Sequence, residues 1–156
     1  MFKSMIFCFI FITIVSFNSF ASPETVSNVG SYDNSNIFAK ILRKEAPADI
    51  IYEDEYVLAF KDIHPIKAVH ILVIPKGKYR SILDFSEKAS DVEITALIRA
   101  LGKIAKQLNI AQDGFSVMSN SGHNGGQTVP HLHFHLLGGE QVSWEKALRN
   151  IKGNLN

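Results

Sequence analysis

The chain has 156 residues, enough for one compact domain but too few for two of ordinary size. Its 16 basic residues almost balance 15 acidic ones, so it lacks the strong positive charge of a duplex-binding protein. The single cysteine, Cys8, lies in the N-terminal apolar run, which excludes disulfides and thiolate sites from the rest of the chain.

Residues 1–21 are predicted to be a secretory signal peptide. Lys3 gives a positively charged N-terminal region, and residues 5–17 are almost all apolar. Ser-Phe-Ala before Ser22 matches a small-residue cleavage site. The apolar run is short for a membrane span of about 20 residues, although an uncleaved anchor is the alternative. We therefore expect an exported protein, periplasmic or secreted, with a cytoplasmic location if the segment is not a signal.

The next segments predict a linker, a helix and two strands. Residues 22–34 are rich in Ser, Asn, Gly and Asp, as in a flexible linker. Ser35 is the predicted N-cap of a helix that runs to Glu45, and Pro47 ends it. Strands are predicted at residues 50–52 and 56–60, on either side of an acidic turn.

The second half of the chain predicts three more strands and the longest helix. Residues 69–74 are β-branched and apolar and should form a central strand. Ser90 and Glu93 match a capping box, and apolar residues recur at helical spacing from there to about Asn109. Strands at 114–119 and 131–137 follow. Short connections between strands indicate an α+β fold with a mainly antiparallel sheet of about five strands and two helices.

The last predicted strand carries His131, His133 and His135 in alternation with apolar residues. Alternate side chains of a strand share a face, so the three imidazoles should point one way and the apolar residues into the core. Imidazole titrates near neutrality and can act as nucleophile or proton carrier, and it also binds metals. Alternate strand residues lie about 6.6 Å apart, so three in a row rarely converge on one ion. Metal binding is the minority interpretation, and a chance surface cluster is the other alternative.

The glycine-rich loop before this strand is a candidate phosphate site. Gly125 and Gly126 would let main-chain N–H groups approach a phosphate closely. The Gln127 amide and the Thr128 hydroxyl can donate to phosphoryl oxygens. A plain hairpin turn is the structural alternative, but beside three histidines the loop equally indicates phosphoryl or nucleotidyl transfer.

Residues 125–139, Gly-Gly-Gln-Thr-Val-Pro-His-Leu-His-Phe-His-Leu-Leu-Gly-Gly, closely resemble the signature of the histidine-triad (HIT) family. The trailing Leu-Gly-Gly is similar to the Hint branch of nucleoside phosphoramidases. Residues 37–41, 47–48, 52–54, 59–63 and 70–76 resemble segments of that branch in the same order. The expected HIT domain spans residues 35–146 and is followed by a C-terminal tail at 147–156. The segment after Trp144 departs from the usual Hint ending.

The resemblance implies that His133 is a nucleophile that forms a covalent nucleotidyl intermediate. His131, His135 and His70 would complete the histidine set that orients it and manages protons. The other implied contacts are Asn120, Gly126, Gln127 and Thr128 to phosphate, Asp62 to the ribose, and Ile63 with Phe38 to the base. No role for His64 or His123 follows from the resemblance.

The implied activity is hydrolysis of purine nucleoside phosphoramidates by a HIT-fold homodimer that needs neither metal nor cofactor. A dinucleoside polyphosphate hydrolase is the near alternative. A nucleotide-binding or interaction module with little turnover, and a periplasmic metal binder, are alternatives from other classes. The expected partner is a purine nucleotide-type small molecule and not a nucleic acid, with membrane contact only if the N-terminal segment remains attached.

Overall fold

The computed structural model describes residues 26–141. The predicted signal peptide, the start of the predicted linker and the C-terminal tail lie outside the described residues, so these remain predictions. No helix within the described range is long and apolar enough to cross a membrane.

The described residues form three helices around one antiparallel sheet of five strands. The sheet order is β1-β2-β3-β5-β4, which places β3 at the centre as predicted. This confirms the α+β fold class. In chain order the elements are α1 (Ile37–Leu42), β1 (Ile50–Glu53), β2 (Val57–Lys61), β3 (Val69–Pro75), α2 (Ile82–Lys88), α3 (Asp91–Gln107), β4 (Ser116–Met118) and β5 (Phe134–Gly138).

The first helix is shorter than predicted and has a different cap. Asn36, not Ser35, is the N-cap, and its side chain accepts a hydrogen bond from the Ala39 N–H. Ser35 instead donates its N–H and its hydroxyl to the Asp33 carboxylate. The Asx geometry at Asp33 thus shifts the start of the helix by one residue.

The two later helices differ in how well the sequence predicts them. Helix α3 begins with the predicted capping box, in which Ser90 and Glu93 each bond the other's backbone N–H. Helix α2 is absent from the prediction. Its N-cap is Ser81, which accepts from the Asp84 N–H, and its seven residues give too short a periodic pattern to recognise.

The sheet separates two buried apolar clusters. Alternation along β2 and β3 sends one set of side chains toward α3 and the other toward Phe38 of α1. In β5, Leu136 is fully buried in the α3 cluster, so the neighbouring His135 faces the α1 side. The apolar packing of α3 therefore fixes which face of the sheet carries the histidines.

The last strand begins at Phe134, so the predicted start at His131 is wrong. The Leu132 N–H donates to the Tyr79 carbonyl at 2.7 Å instead of pairing with a neighbouring strand. Alternation nevertheless continues through this extended segment, because Leu132 packs in the α3 cluster while His131 and His133 contact Phe38. The predicted sharing of one face by the three histidines therefore holds without regular strand pairing.

Candidate active site

His133 lies between an aromatic residue and another histidine. Its ring centroid is 5.3 Å from that of Phe38 and 5.1 Å from that of His135. Its Nδ1 lies 2.7 Å from the His131 carbonyl oxygen, and a carbonyl can only accept, so Nδ1 carries the proton. The lone pair therefore lies on Nε2, which has no hydrogen-bond partner among residues 26–141. The residue is buried, with 4% of its surface exposed.

His131 is fully buried, and both of its ring nitrogens are hydrogen-bonded. Its Nε2 donates to the Pro75 carbonyl at 2.9 Å, and its Nδ1 accepts from the Tyr32 hydroxyl. Burial lowers the pKa of His131 to about 4, so the ring is neutral at physiological pH. Its contacts indicate that it positions His133, because its backbone carbonyl accepts the hydrogen bond from His133 Nδ1.

A directed set of hydrogen bonds assigns the protons of His70 and His135. The Ile66 N–H donates to His70 Nδ1 at 3.3 Å, so the His70 proton lies on Nε2. His70 Nε2 lies 2.8 Å from His135 Nδ1 and 3.3 Å from Asp62 Oδ2, so its proton faces both groups. His135 Nδ1 therefore accepts, and His135 Nε2–H is free to donate to a ligand.

Burial also favours the neutral form of the other three histidines of the site, His133, His70 and His135. It lowers the pKa of His133 and of His70, and the Asp62 carboxylate opposes the shift in both. It lowers the pKa of His135 to about 4, and the neighbouring His133 and His70 act in the same direction. A neutral imidazole retains the lone pair that nucleophilic attack requires.

An apolar pocket of about 550 Å³ adjoins His135. A cavity of this size accommodates a nucleoside. The lining includes five residues predicted for the site, namely Phe38, Asp62, Ile63, Thr128 and His135, and it also includes His64. His133 is not part of the lining, but its ring lies 5.3 Å from that of Phe38 and 5.1 Å from that of His135, which both line the pocket.

The glycine-rich loop is shaped by two of its predicted phosphate ligands. The buried Gln127 donates both amide protons, to the carbonyls of Arg80 and Val129, and accepts from the Gly122 N–H. A phosphate contact from this amide would require one of those bonds to break. Asn120 donates to the Gly125 carbonyl within the loop. The exposed Thr128 hydroxyl makes no comparable bond within residues 26–141 and is the better placed donor.

The glycines of this loop are required by the backbone. Gly126 has a φ of 75°, a conformation that other residues rarely adopt. A Cβ at Gly125 would overlap the Ser121 carbonyl oxygen. The loop conformation therefore depends on both glycines.

Three side chains that could ligate a metal lie close together, and two of them, Asp62 and His135, line the pocket. Atoms of Asp62, His70 and His135 that could bind a metal lie within 4.8 Å of one another. Two of them, His70 Nε2 and His135 Nδ1, are already joined by a hydrogen bond. Within residues 26–141 neither His131 nor His133 belongs to this group, so the three histidines of the triad do not share one candidate metal position.

Tyr32 is a functional candidate that the sequence interpretation missed. It lies in the predicted linker, where composition alone gave no sign of a contact with His131. His64 contributes its backbone N–H to the Asp62 carboxylate at 2.8 Å, and His123 contributes its carbonyl to the Gly126 N–H. These contacts give both histidines a local structural role.

Comparisons with known proteins identify the family. A family model described as HIT domain matches residues 43–142. A 13.2 kDa HIT-like protein of Azospirillum brasilense is 46% identical over 112 residues, covering 72% of this chain and 92% of the relative. The purine nucleoside phosphoramidase of Escherichia coli K12 is 44% identical over 106 residues, covering 68% of this chain and 88% of the relative.

A solved structure shows the same fold. It is a HIT family hydrolase from Legionella pneumophila Philadelphia 1, with 35% sequence identity and a TM-score of 0.63. The match covers 69% of this chain and 96% of that protein. Family model, curated relatives and structure therefore agree, and the chain belongs to the histidine-triad (HIT) family of nucleotide-binding hydrolases.

Proposed function

We propose that the chain hydrolyses purine nucleoside phosphoramidates through a covalent nucleotidyl intermediate on His133. The observation that carries this proposal is the hydrogen bond from His133 Nδ1 to the His131 carbonyl, which leaves the lone pair on Nε2. The nucleoside-sized pocket beside His135 supports a nucleotide substrate. The phosphoramidase relative in E. coli supports a P–N bond as the one that breaks.

In the first step His133 Nε2 attacks phosphorus, and the P–N bond to the amine breaks as the new bond forms. The amine leaves with the bonding electrons and needs a proton. The anionic phosphoryl group and Asp62 both favour a positive charge on the His70–His135 pair, so the complex takes up a proton from solvent there. His135 Nε2 passes a proton to the departing nitrogen.

In the second step water attacks phosphorus and the bond to His133 breaks. The His70–His135 pair, now neutral, accepts the proton that water loses. The carbonyl of His131 holds the Nδ1 proton throughout, so His133 leaves as a neutral ring with its lone pair restored. The products are a nucleoside monophosphate and an amine.

The test is incubation of residues 22–156 with adenosine 5′-phosphoramidate. We expect release of AMP that resists a chelator, and no release by His133→Asn. Binding of AMP to the variant, measured by calorimetry, should be retained because the residues that line the pocket are unchanged. Turnover by the variant at the wild-type rate would contradict the proposal. Faster cleavage of a dinucleoside polyphosphate would assign the enzyme to P–O bonds, and AMP binding without turnover by the wild type would favour a binding module.

We further propose that the protein is an exported homodimer. The edge strand β4 and the residue before it expose apolar side chains, with Phe115 37%, Val117 40% and Met118 43% exposed. Such a strand is available for pairing with a second copy. The wild type should sediment as a dimer and Val117→Lys as a monomer. A reporter fused after residue 156 should be found outside the cytoplasm if the protein is exported.

A further inference from the structure

Residues 26–34 precede the region that the family model matches, yet they are bound to the active-site side of the domain. We call these residues the N-terminal strap. The Arg80 guanidinium donates to the carbonyls of Ser27 and Ser31, with Nη2 2.9 Å from the Ser27 oxygen. The Ser121 hydroxyl donates to the Asn28 side chain at 2.8 Å. These bonds tie the strap to the glycine-rich loop and to the chain before α2.

Tyr32 connects the strap to the histidines. Its hydroxyl donates to His131 Nδ1, and its ring stands edge-on to His131 with centroids 5.6 Å apart. Burial raises the pKa of Tyr32, so the hydroxyl keeps its proton at neutral pH. His131 is thereby held at both nitrogens, by Tyr32 on one side and by the Pro75 carbonyl on the other. This fixes the tautomer and the orientation of a fully buried ring.

The position of His131 matters because its main-chain carbonyl accepts the hydrogen bond from His133 Nδ1. Bonds at both nitrogens of the His131 ring restrain the residue that carries this carbonyl. We propose that Tyr32 is a positioning residue of the active site, which holds His131 so that the lone pair of His133 stays on Nε2. Its hydroxyl is bonded to His131, so Tyr32 acts through that residue. The proposal rests on the function proposed for His133 and adds a residue from outside the matched region.

The experiment compares Tyr32→Phe with Tyr52→Phe. The control also removes a hydrogen-bonded hydroxyl from a half-buried tyrosine, since Tyr52 donates to Asp54 at 2.6 Å, on the side of the sheet that packs against α3. For adenosine 5′-phosphoramidate we expect Tyr32→Phe to lower kcat about tenfold while KM changes less than about twofold. The control should retain both constants. A higher KM with an unchanged kcat, or no change in either constant, would overturn the proposal.

Imidazole ¹⁵N spectra give a second readout that needs no substrate. In the wild type the signals should show the His131 proton on Nε2 and the His133 proton on Nδ1. In Tyr32→Phe the His133 proton should exchange between both nitrogens. Unchanged tautomers in a folded variant would overturn the proposal.

A second variant covers the case in which Tyr32→Phe does not fold. Arg80→Gln removes the guanidinium that anchors the strap and leaves every histidine ring intact. It should lower kcat and alter the His133 tautomer in the same direction, and wild-type values of both would overturn the proposal. Failure of the wild type to release AMP would refute the proposed function, whereas the tautomer comparison would still decide the role of Tyr32.

Discussion

His131 should make the fold sensitive to mild acid. Its ring is fully buried, and burial lowers its pKa from 6.5 to about 4. Between those values the unfolded chain binds a proton that the folded chain does not, so the free energy of unfolding falls as the pH falls through this window. At about 1.4 kcal/mol per pKa unit, the loss from His131 between about pH 7.5 and about pH 4.5 is roughly 2 to 3 kcal/mol.

Urea unfolding of the wild type and His131→Asn at both pH values measures this loss. The variant is expected to be less stable at neutral pH, since Tyr32 and Pro75 lose their partner. Its further loss on acidification should be smaller than that of the wild type by roughly 2 to 3 kcal/mol. The matched control is His123→Gln, which removes an exposed histidine. Equal acid losses in the wild type and His131→Asn would refute the reasoning.

Three further outcomes follow from the packing and the site. Leu136→Ala should lower the free energy of unfolding by about 2 to 5 kcal/mol, because the residue is fully buried against α3, and a loss below about 1 kcal/mol would contradict the assigned core. Gly125→Ala should fold but release AMP at least about tenfold more slowly, because its Cβ displaces the Ser121 carbonyl and with it the loop; melting and turnover measured together check this. The pH profile of kcat/KM should fall towards alkaline pH, where the His70–His135 pair no longer takes up the proton for the leaving amine, and should fall on the acid side only below about pH 6.5, since burial lowers the pKa of His133; an acid midpoint above 6.5 would contradict the neutral nucleophile.

The elements that the sequence predicts well are those with local signals. The capping box at Ser90 is complete within four residues, and the apolar run of β3 is long enough to mark a buried central strand. Helix α2 is too short for a periodic pattern. The start of β5 depends on a bond between Leu132 and Tyr79, which are distant in the chain, and no local pattern encodes that bond.

The same distinction applies to the active site. The alternation around His133 correctly predicts that the histidines share a face, because it follows from backbone geometry. The partners of each ring nitrogen depend on tertiary contacts, such as those of His70 with Ile66 and His135. The contact between Tyr32 and His131 joins residues 99 positions apart in the chain, so the sequence alone could not assign it.

The most direct test of the account is to trap the covalent intermediate. Rapid quenching of the wild type during turnover of adenosine 5′-phosphoramidate, followed by mass spectrometry of its peptides, should show an adenylyl group on His133. His133→Asn should bind AMP and carry no adduct. An adenylyl group on another residue, or AMP release by the wild type with no adduct at any quench time, would contradict nucleophilic attack by His133.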